Sequence, residues 1–304
     1  MNFMETPILF LVFNRPGLTK RVFDEIKIAK PKKLYVAIDG PRKEIESDLV
    51  KISEVIEIVS NLTWECKLEL LQRESNLGCG LAVSSAIDWF FSKEDEGIIL
   101  EDDCVPSQDF FSFCVSLLEK YRRTKAVMAI NGSNPFLIES KDCSYSFTSY
   151  NLIWGWATWK DRWVEYKYDL SNEGAFKMLL LLFMKFKLDL VSVRSWYMHL
   201  KLVIQGKINT WDYQWIYACL INKGLVATPT YNLIHNIGND SVDPTHGFID
   251  SFYIDIPIET RSLFPIKHPQ RIEIDKILER KIRVERFGNS FVLFVKSKIN
   301  KFKN

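Results

Sequence analysis

The sequence of 304 residues predicts an α/β protein, a mostly parallel sheet with helices on both faces. Two observations carry that expectation. The first hundred residues alternate short, continuous apolar runs with longer helical stretches, the pattern of parallel strands buried on both sides. Each of four successive runs also ends in polar, charged or turn-forming residues, so the strand ends trace one rim, where open α/β sheets bind ligands.

Residues 8–13 form the first strand, which stops at Asn14-Arg15-Pro16. A helix over 18–29 follows, then a strand over 33–38 that ends in Asp39-Gly40-Pro41-Arg42. A helix over 44–58 leads to a strand over 68–72 and the polar segment Arg73-Glu74-Ser75-Asn76-Leu77-Gly78. The helix 80–91 precedes the fourth strand, 97–100, and Glu101-Asp102-Asp103 follows it directly. Beyond lie a helix over 109–121, a strand over 126–130 ending at Asn131-Gly132-Ser133-Asn134, and a helix over 213–220. Turn chemistry alone explains any one of these strand ends, whereas four together define a surface for a charged ligand. Seven of the nine tryptophans lie in the second half; each is either core filler or part of a sugar-stacking surface.

Three consecutive acids are costly to leave unpaired, because like charges repel and raise one another's pKa. They need a cation or hydrogen-bond donors to stay ionised. Carboxylate oxygens suit Mg²⁺ or Mn²⁺, and Mg²⁺ is commonly held by one or two carboxylates together with substrate phosphates. Glu101-Asp102-Asp103 is therefore a candidate metal-diphosphate site, and the competing reading is a solvated acidic turn ahead of the helix that starts near Gln108.

Composition, at 47% hydrophobic and 26% charged, is that of a globular protein with room for a sizeable core. No linker or internal repeat divides the chain, so residues 1–255 are expected to form one catalytic unit, in halves 1–135 and 136–255, followed by an extension over 256–304. The apolar run 8–13 is too short for a signal peptide and 178–184 is too short to span a bilayer. Six cysteines lack metal-ligand spacing and read as free thiols in a reducing cytosol, so the expected location is cytoplasmic. From Lys276 onward nine Lys/Arg face Glu279 and Glu285, a net +7 that leaves the rest of the chain near −5. Apolar residues interleave with those cations, which suits either a helix lying on an anionic membrane or a solubilising terminal helix; nucleic acid is disfavoured, since no groove-reading or base-stacking motif accompanies the tail.

The chain resembles GT-A fold nucleotide-sugar glycosyltransferases, particularly family 2-like enzymes and the N-acetylglucosaminyltransferase I group. The resemblance runs in order over roughly 6–248: Phe13-Asn14-Arg15-Pro16, Ile38-Asp39-Gly40, Asn76-Leu77-Gly78, Leu100-Glu101-Asp102-Asp103 with Pro106 and Asp109-Phe110-Phe111, Trp154-Gly155-Trp156-Ala157, Trp211-Asp212, and Asn236-Ile237-Gly238 followed by Thr245-His246. It implies a Rossmann-like sheet with a nucleotide-sugar-binding first half, an aromatic-rich acceptor-side second half and a basic C-terminal helix. In such enzymes the triplet takes the place of the DxD signature. The resemblance then implies that Asp103 ligates Mn²⁺ or Mg²⁺, Asp102 faces the ribose and Glu101 the transferred sugar. Asp39 falls where the family's acid meets the nucleobase, with Asn14 and Arg15 at the same end. Asn76 and Gly78 fall in the segment closing over the sugar-diphosphate, where Arg73 or Ser75 could hold the same role. Gly155 matches the glycine-bearing loop beneath donor and acceptor, and His246 the late histidine that touches metal or diphosphate; His235 is a weaker rival.

Inverting transfer needs a carboxylate to accept the acceptor's hydroxyl proton. Asp212 is the candidate base, and its alternative is a helix N-terminal Asp stabilising 213–220. No second acid forms a nucleophile pair with it, which favours inversion. The activity that the resemblance implies is transfer from a nucleotide-diphosphate sugar, with UDP as the first candidate, to a glycan or lipid-linked acceptor in cell-surface polysaccharide synthesis, with peripheral contact at the inner membrane face through the tail. A sugar nucleotidyltransferase would want a Gly-rich basic loop after the first strand, which Phe13-Asn14-Arg15-Pro16-Gly17 does not supply. A degenerate domain acting as a nucleotide-sugar-binding scaffold is the non-enzyme alternative, against which the intact triplet and Asp212 argue.

Overall fold

A computed structural model describes residues 4–136, 142–185, 190–238, 258 and 262–283. Its first half follows the expected alternation: β1 (Ile8–Val12), α1 (Pro16–Ala29), β2 (Lys33–Ile38), α2 (Glu46–Ser60), β3 (Lys67–Gln72), α3 (Gly78–Phe91) and β4 (Glu96–Glu101). Pro16 opens α1, where its missing N–H costs nothing because a first helical turn has no partner for it. A short β5 (Cys104–Pro106) precedes α4 (Gln108–Tyr121), which Ser107 caps through its hydroxyl and the Phe110 amide at 3.3 Å; β6 (Val127–Asn131) follows.

The second half adds β7 (Tyr145–Thr148), β8 (Trp156–Trp159), α5 (Lys160–Trp163), α6 (Ala175–Lys185), α7 (Leu190–Ile204), α8 (Asp212–Ile221), β9 (Leu225–Pro229), β10 (Ile234–Asn236) and α9 (Lys276–Arg283). Eight strands form one sheet in the order β3-β2-β1-β4-β8-β6-β9-β7, and β10 pairs with β5 beside it. The pairings set β7 and β8 antiparallel to their neighbours and leave the other six strands running one way. β1 lies between β2 and β4, so the connections reverse direction there, and such a switch point is where open sheets leave a crevice outside their strand ends.

Alternate strand residues serve opposite faces. Ile8, Phe10, Leu34, Val36, Ile98 and Leu100 pack with α1, α2 and α4. Leu9, Leu11, Tyr35, Ala37 and Ile99 pack with α3 and α8 on the other side. This period of two explains why each strand reads as a continuous apolar run. Five tryptophans, Trp156, Trp159, Trp196, Trp211 and Trp215, are fully buried core residues, and Trp156 stacks on Trp211 at 5.6 Å between ring centres.

Residues 262–283 belong to the same body: Leu263, Leu278 and Ile282 are buried. Glu279 ties α9 to β7, accepting from the Thr148 hydroxyl at 2.6 Å and the Ser149 amide at 2.9 Å. The rest of the basic tail, 284–304, lies outside the described residues. No described helix is long and apolar enough to cross a membrane.

Candidate active site

A cleft of about 870 Å³ opens at the carboxyl ends of β1, β2 and β4. Asn14, Arg15, Asp39, Arg73, Asn76, Gly78, Glu101, Asp102, Asp103 and Asp212 all line it, although they come from five separate stretches of chain. Gly155 lies behind the cleft. Its φ of +60° is left-handed, and a Cβ there would stand 2.5 Å from Ile234 Cδ1, so the close approach it permits is to protein. His235 sits in β10 opposite Val105, and His246 lies outside the described residues.

The acidic triplet is held by Arg15, which ends the turn after β1. Its Nε donates to Asp102 Oδ2 at 3.1 Å, its Nη2 pairs closely with Asp102 Oδ1, and its Nη1 lies 3.1 Å from Asp103 Oδ2. Burial pushes the Asp102 carboxyl up to about 6, and the Arg15 guanidinium opposes that rise. Glu101 has no such partner. Burial, followed by repulsion from Asp103 and Asp102, raises its pKa well above the usual carboxylate range, and its Oε1 finds no hydrogen-bond partner among the described residues. Burial thus holds the Glu101 carboxyl toward its protonated form.

Asp103 is the triplet member with most freedom toward the cleft, its side chain 16% exposed against 4% for Asp102. Its backbone carbonyl accepts from the Ile237 amide at 2.8 Å, and a Cβ on Gly238 would come within 2.9 Å of its Oδ2. The Asn236-Ile237-Gly238 segment therefore walls this carboxylate with backbone. No group of three or more His, Cys, Asp or Glu among the described residues encloses a metal. One cleft-facing carboxylate suits a hard cation whose remaining ligands are phosphate oxygens and water, so the residues present fit Mg²⁺ or Mn²⁺ at Asp103.

Asp39 is spent on its own loop. Its Oδ1 accepts from the amides of Gly40 and Leu77, each at 2.9 Å, and its Oδ2 from the Asn76 side chain at 2.8 Å and the Gly78 amide at 3.2 Å. Asp39 and Asn76 thus clamp the β2 and β3 ends to the start of α3. Asn14 points to Asp48, which is fully buried and also ion-paired with Arg42 at 2.8 Å. Hydrogen bonds from Arg42 hold the Asp48 carboxyl down to about 2. Arg73 donates to Ser85 at 2.9 Å.

The opposite wall comes from the end of α7, the connection 205–211 and the start of α8. Asp212 is the first residue of α8, and its Oδ1 accepts from the Tyr213 amide at 2.8 Å and, closely, from the Thr210 hydroxyl. Asn209 accepts from the Gly80 amide at 2.8 Å, which ties this wall to α3. His199 lines the wall too, its ring stacked on Tyr213 at 5.2 Å and its Nδ1 2.7 Å from the Ser195 carbonyl. A carbonyl only accepts, so Nδ1 donates in this contact and Nε2 is the ring nitrogen not engaged by it. Cys79 lines the same cleft, and burial, followed by the Glu101, Asp212 and Asp103 carboxyls, pushes its thiol up. Asp48, His199, Lys207 and Asn209 carry no local sequence signal that marks them.

No family model matches the chain, and no curated protein matches it. Among solved structures, HddC from Yersinia pseudotuberculosis is 11% identical, covering 51% of this chain and 77% of its own at a TM-score of 0.33. A UDP-glucose pyrophosphorylase complexed with UDP-glucose is 10% identical, covering 75% of this chain and 91% of its own at a TM-score of 0.38. Likeness at this level carries no argument about what the cleft does.

Proposed function

We propose that the chain is an inverting, metal-dependent glycosyltransferase that takes a sugar from a nucleotide-diphosphate donor, with UDP as the first candidate, and passes it to a hydroxyl of a glycan or lipid-linked acceptor. The observation that carries this reading is the convergence of the acidic triplet, the Asp39 clamp and Asp212 on one cleft at the switch point of the sheet.

In this reading Asp103 would hold the metal, which when bound would supply positive charge to stabilise the diphosphate leaving group. Arg15 pairs with Asp102 and Asp103 and adds a cation where phosphates arrive. Arg73, Asn76 and Gly78 form the donor-side lip, shaped by Asp39, and Glu101, whose carboxyl burial holds toward its protonated form, faces the transferred sugar. The acceptor oxygen attacks the anomeric carbon, its proton passes to Asp212, and the bond from that carbon to the diphosphate breaks with its electron pair leaving on the phosphate oxygen. Thr210 and the Tyr213 amide orient Asp212 for that role.

The test is calorimetric titration of UDP, GDP and dTDP into the purified protein, with Mn²⁺ and with EDTA. Metal-dependent binding of one nucleotide is the expected result and names the donor class. No binding of any would overturn the reading, and turnover of a nucleoside triphosphate with a sugar 1-phosphate would replace it with nucleotidyl transfer.

A further inference from the structure

The helices α6 and α7 spend one face on the core and keep a second apolar face outside. Met178 and Leu182 of α6 and Val193, Trp196 and Leu200 of α7 pack with Ile216 and Leu220 of α8. On the other side of α6, Phe176, Leu180 and Met184 are 80%, 47% and 66% exposed, and their four-residue spacing aligns them in one stripe. On α7, Leu190 and Met198 are 65% and 46% exposed and share a face with exposed Arg194 and Lys201. Single exposed apolar residues need no explanation, whereas aligned ones on two consecutive helices do.

The charge here is equally lopsided. From Ala175 to Trp211 the sequence carries Lys177, Lys185, Lys187, Arg194, Lys201 and Lys207 against Asp189 alone, a net +5 in a chain whose total is +2. Lys177 is paired with Glu173 at 3.0 Å, but Arg194, Lys201 and Lys207 have no acidic partner among the described residues. Apolar side chains flanked by unneutralised cations match an anionic bilayer, which buries the first and attracts the second. A second copy docked through the same face would bring like charges together.

We infer that α6 and α7 dock the protein on an anionic lipid surface, with Phe176, Leu180, Met184 and Leu190 at the acyl boundary and Arg194 and Lys201 among the headgroups. This surface is drawn from α6 and α7, whereas the cations of 284–304 lie outside the described residues. Because α7 runs on into the cleft wall through His199 and the 207–213 segment, docking sets the cleft beside the membrane. Access to a lipid-linked acceptor is the consequence, and that step alone rests on the transferase reading.

Flotation of the full-length protein with phosphatidylcholine vesicles, with and without phosphatidylglycerol, tests the docking. Wild type is expected to float with the anionic vesicles only, and less as salt rises. F176E/M184E and R194E/K201E should each lower bound protein about tenfold with unchanged melting temperature, the loss of burial or attraction setting that scale. K298E/K301E/K303E in the tail should still float. Failure of wild type to float, flotation of F176E/M184E at the wild-type level, or loss confined to the tail variant would overturn the proposal. So would a wild-type dimer, seen by light scattering, that F176E/M184E dissociates. Flotation without any nucleotide binding would instead overturn the transferase reading and leave the docking in place.

Discussion

Arg15 donates to Asp102 and ion-pairs with Asp103, while Glu101 feels the same cation only at longer range. That difference predicts separable roles. Asp103→Ala should abolish metal-dependent nucleotide binding by calorimetry, and equal affinity in Mn²⁺ would remove Asp103 as the ligand. Asp212→Ala should leave nucleotide affinity within about twofold but lower transfer by roughly 10²–10⁴-fold, the usual size of a general-base contribution. Glu101→Gln keeps the size of a protonated carboxyl without its ionisation. A carboxyl raised by burial is protonated more readily folded than unfolded, so its contribution to stability falls as pH rises toward its folded pKa. Urea unfolding in a pH series should find Glu101→Gln gaining on wild type as pH rises above the ordinary glutamate value of 4.5, and a gap that does not change with pH would mean that the carboxyl is not raised in the folded chain. The acids were legible in sequence because they terminate an apolar run. Their counter-ion was not, since Arg15 and Asp102 are 87 residues apart and meet only because β1 and β4 are neighbours.

The elements that build the donor side were readable one by one, because each parallel strand and each covering helix has its own period. The acceptor side was read mainly as tryptophans and one helix. Its antiparallel β8 inserts between β4 and β6, and four residues of alternating environment carry too little pattern to announce that. Gly155, just before β8, was expected beneath the ligand by resemblance, whereas its backbone faces Ile234 and its carbonyl accepts from the Gly132 amide at 2.7 Å. Gly155→Ala should therefore cost about 2–4 kcal/mol in urea unfolding, from the left-handed backbone and from overpacking. The folded fraction should bind nucleotide with wild-type affinity, and a loss of affinity at unchanged stability would return Gly155 to the ligand.

For the molecule as a whole, the Asn14–Asp48–Arg42 cluster joins the β1 and β2 ends to α2 and anchors the rim on which the cleft is built. The folded Asp48 carboxyl is held down to about 2, below its ordinary value of 3.8, so its stabilisation is complete above that ordinary value and is lost as pH falls through about 2. Asp48→Asn should be less stable than wild type at neutral pH and show a shallower loss between those two values, measured as unfolding midpoints in an acid series. An unchanged slope would mean that Asp48 is equally paired in the unfolded chain.

What the sequence determined by itself was the α/β class, the order of the first strands and helices, and the residue types offered at each strand end. Those features are local: apolar periodicity, turn chemistry and helix termini act over a few residues, and all of them are present in the linear chain. The tertiary structure alone decided that four strand ends and the start of α8 share one cleft, that Asp39 and Asn14 work within the protein's own rim, and that α6 and α7 keep an apolar, cationic face outside. Each of these depends on contacts between distant segments, fixed by the strand order 3-2-1-4-8-6-9-7, and on which helix faces the core has room to bury.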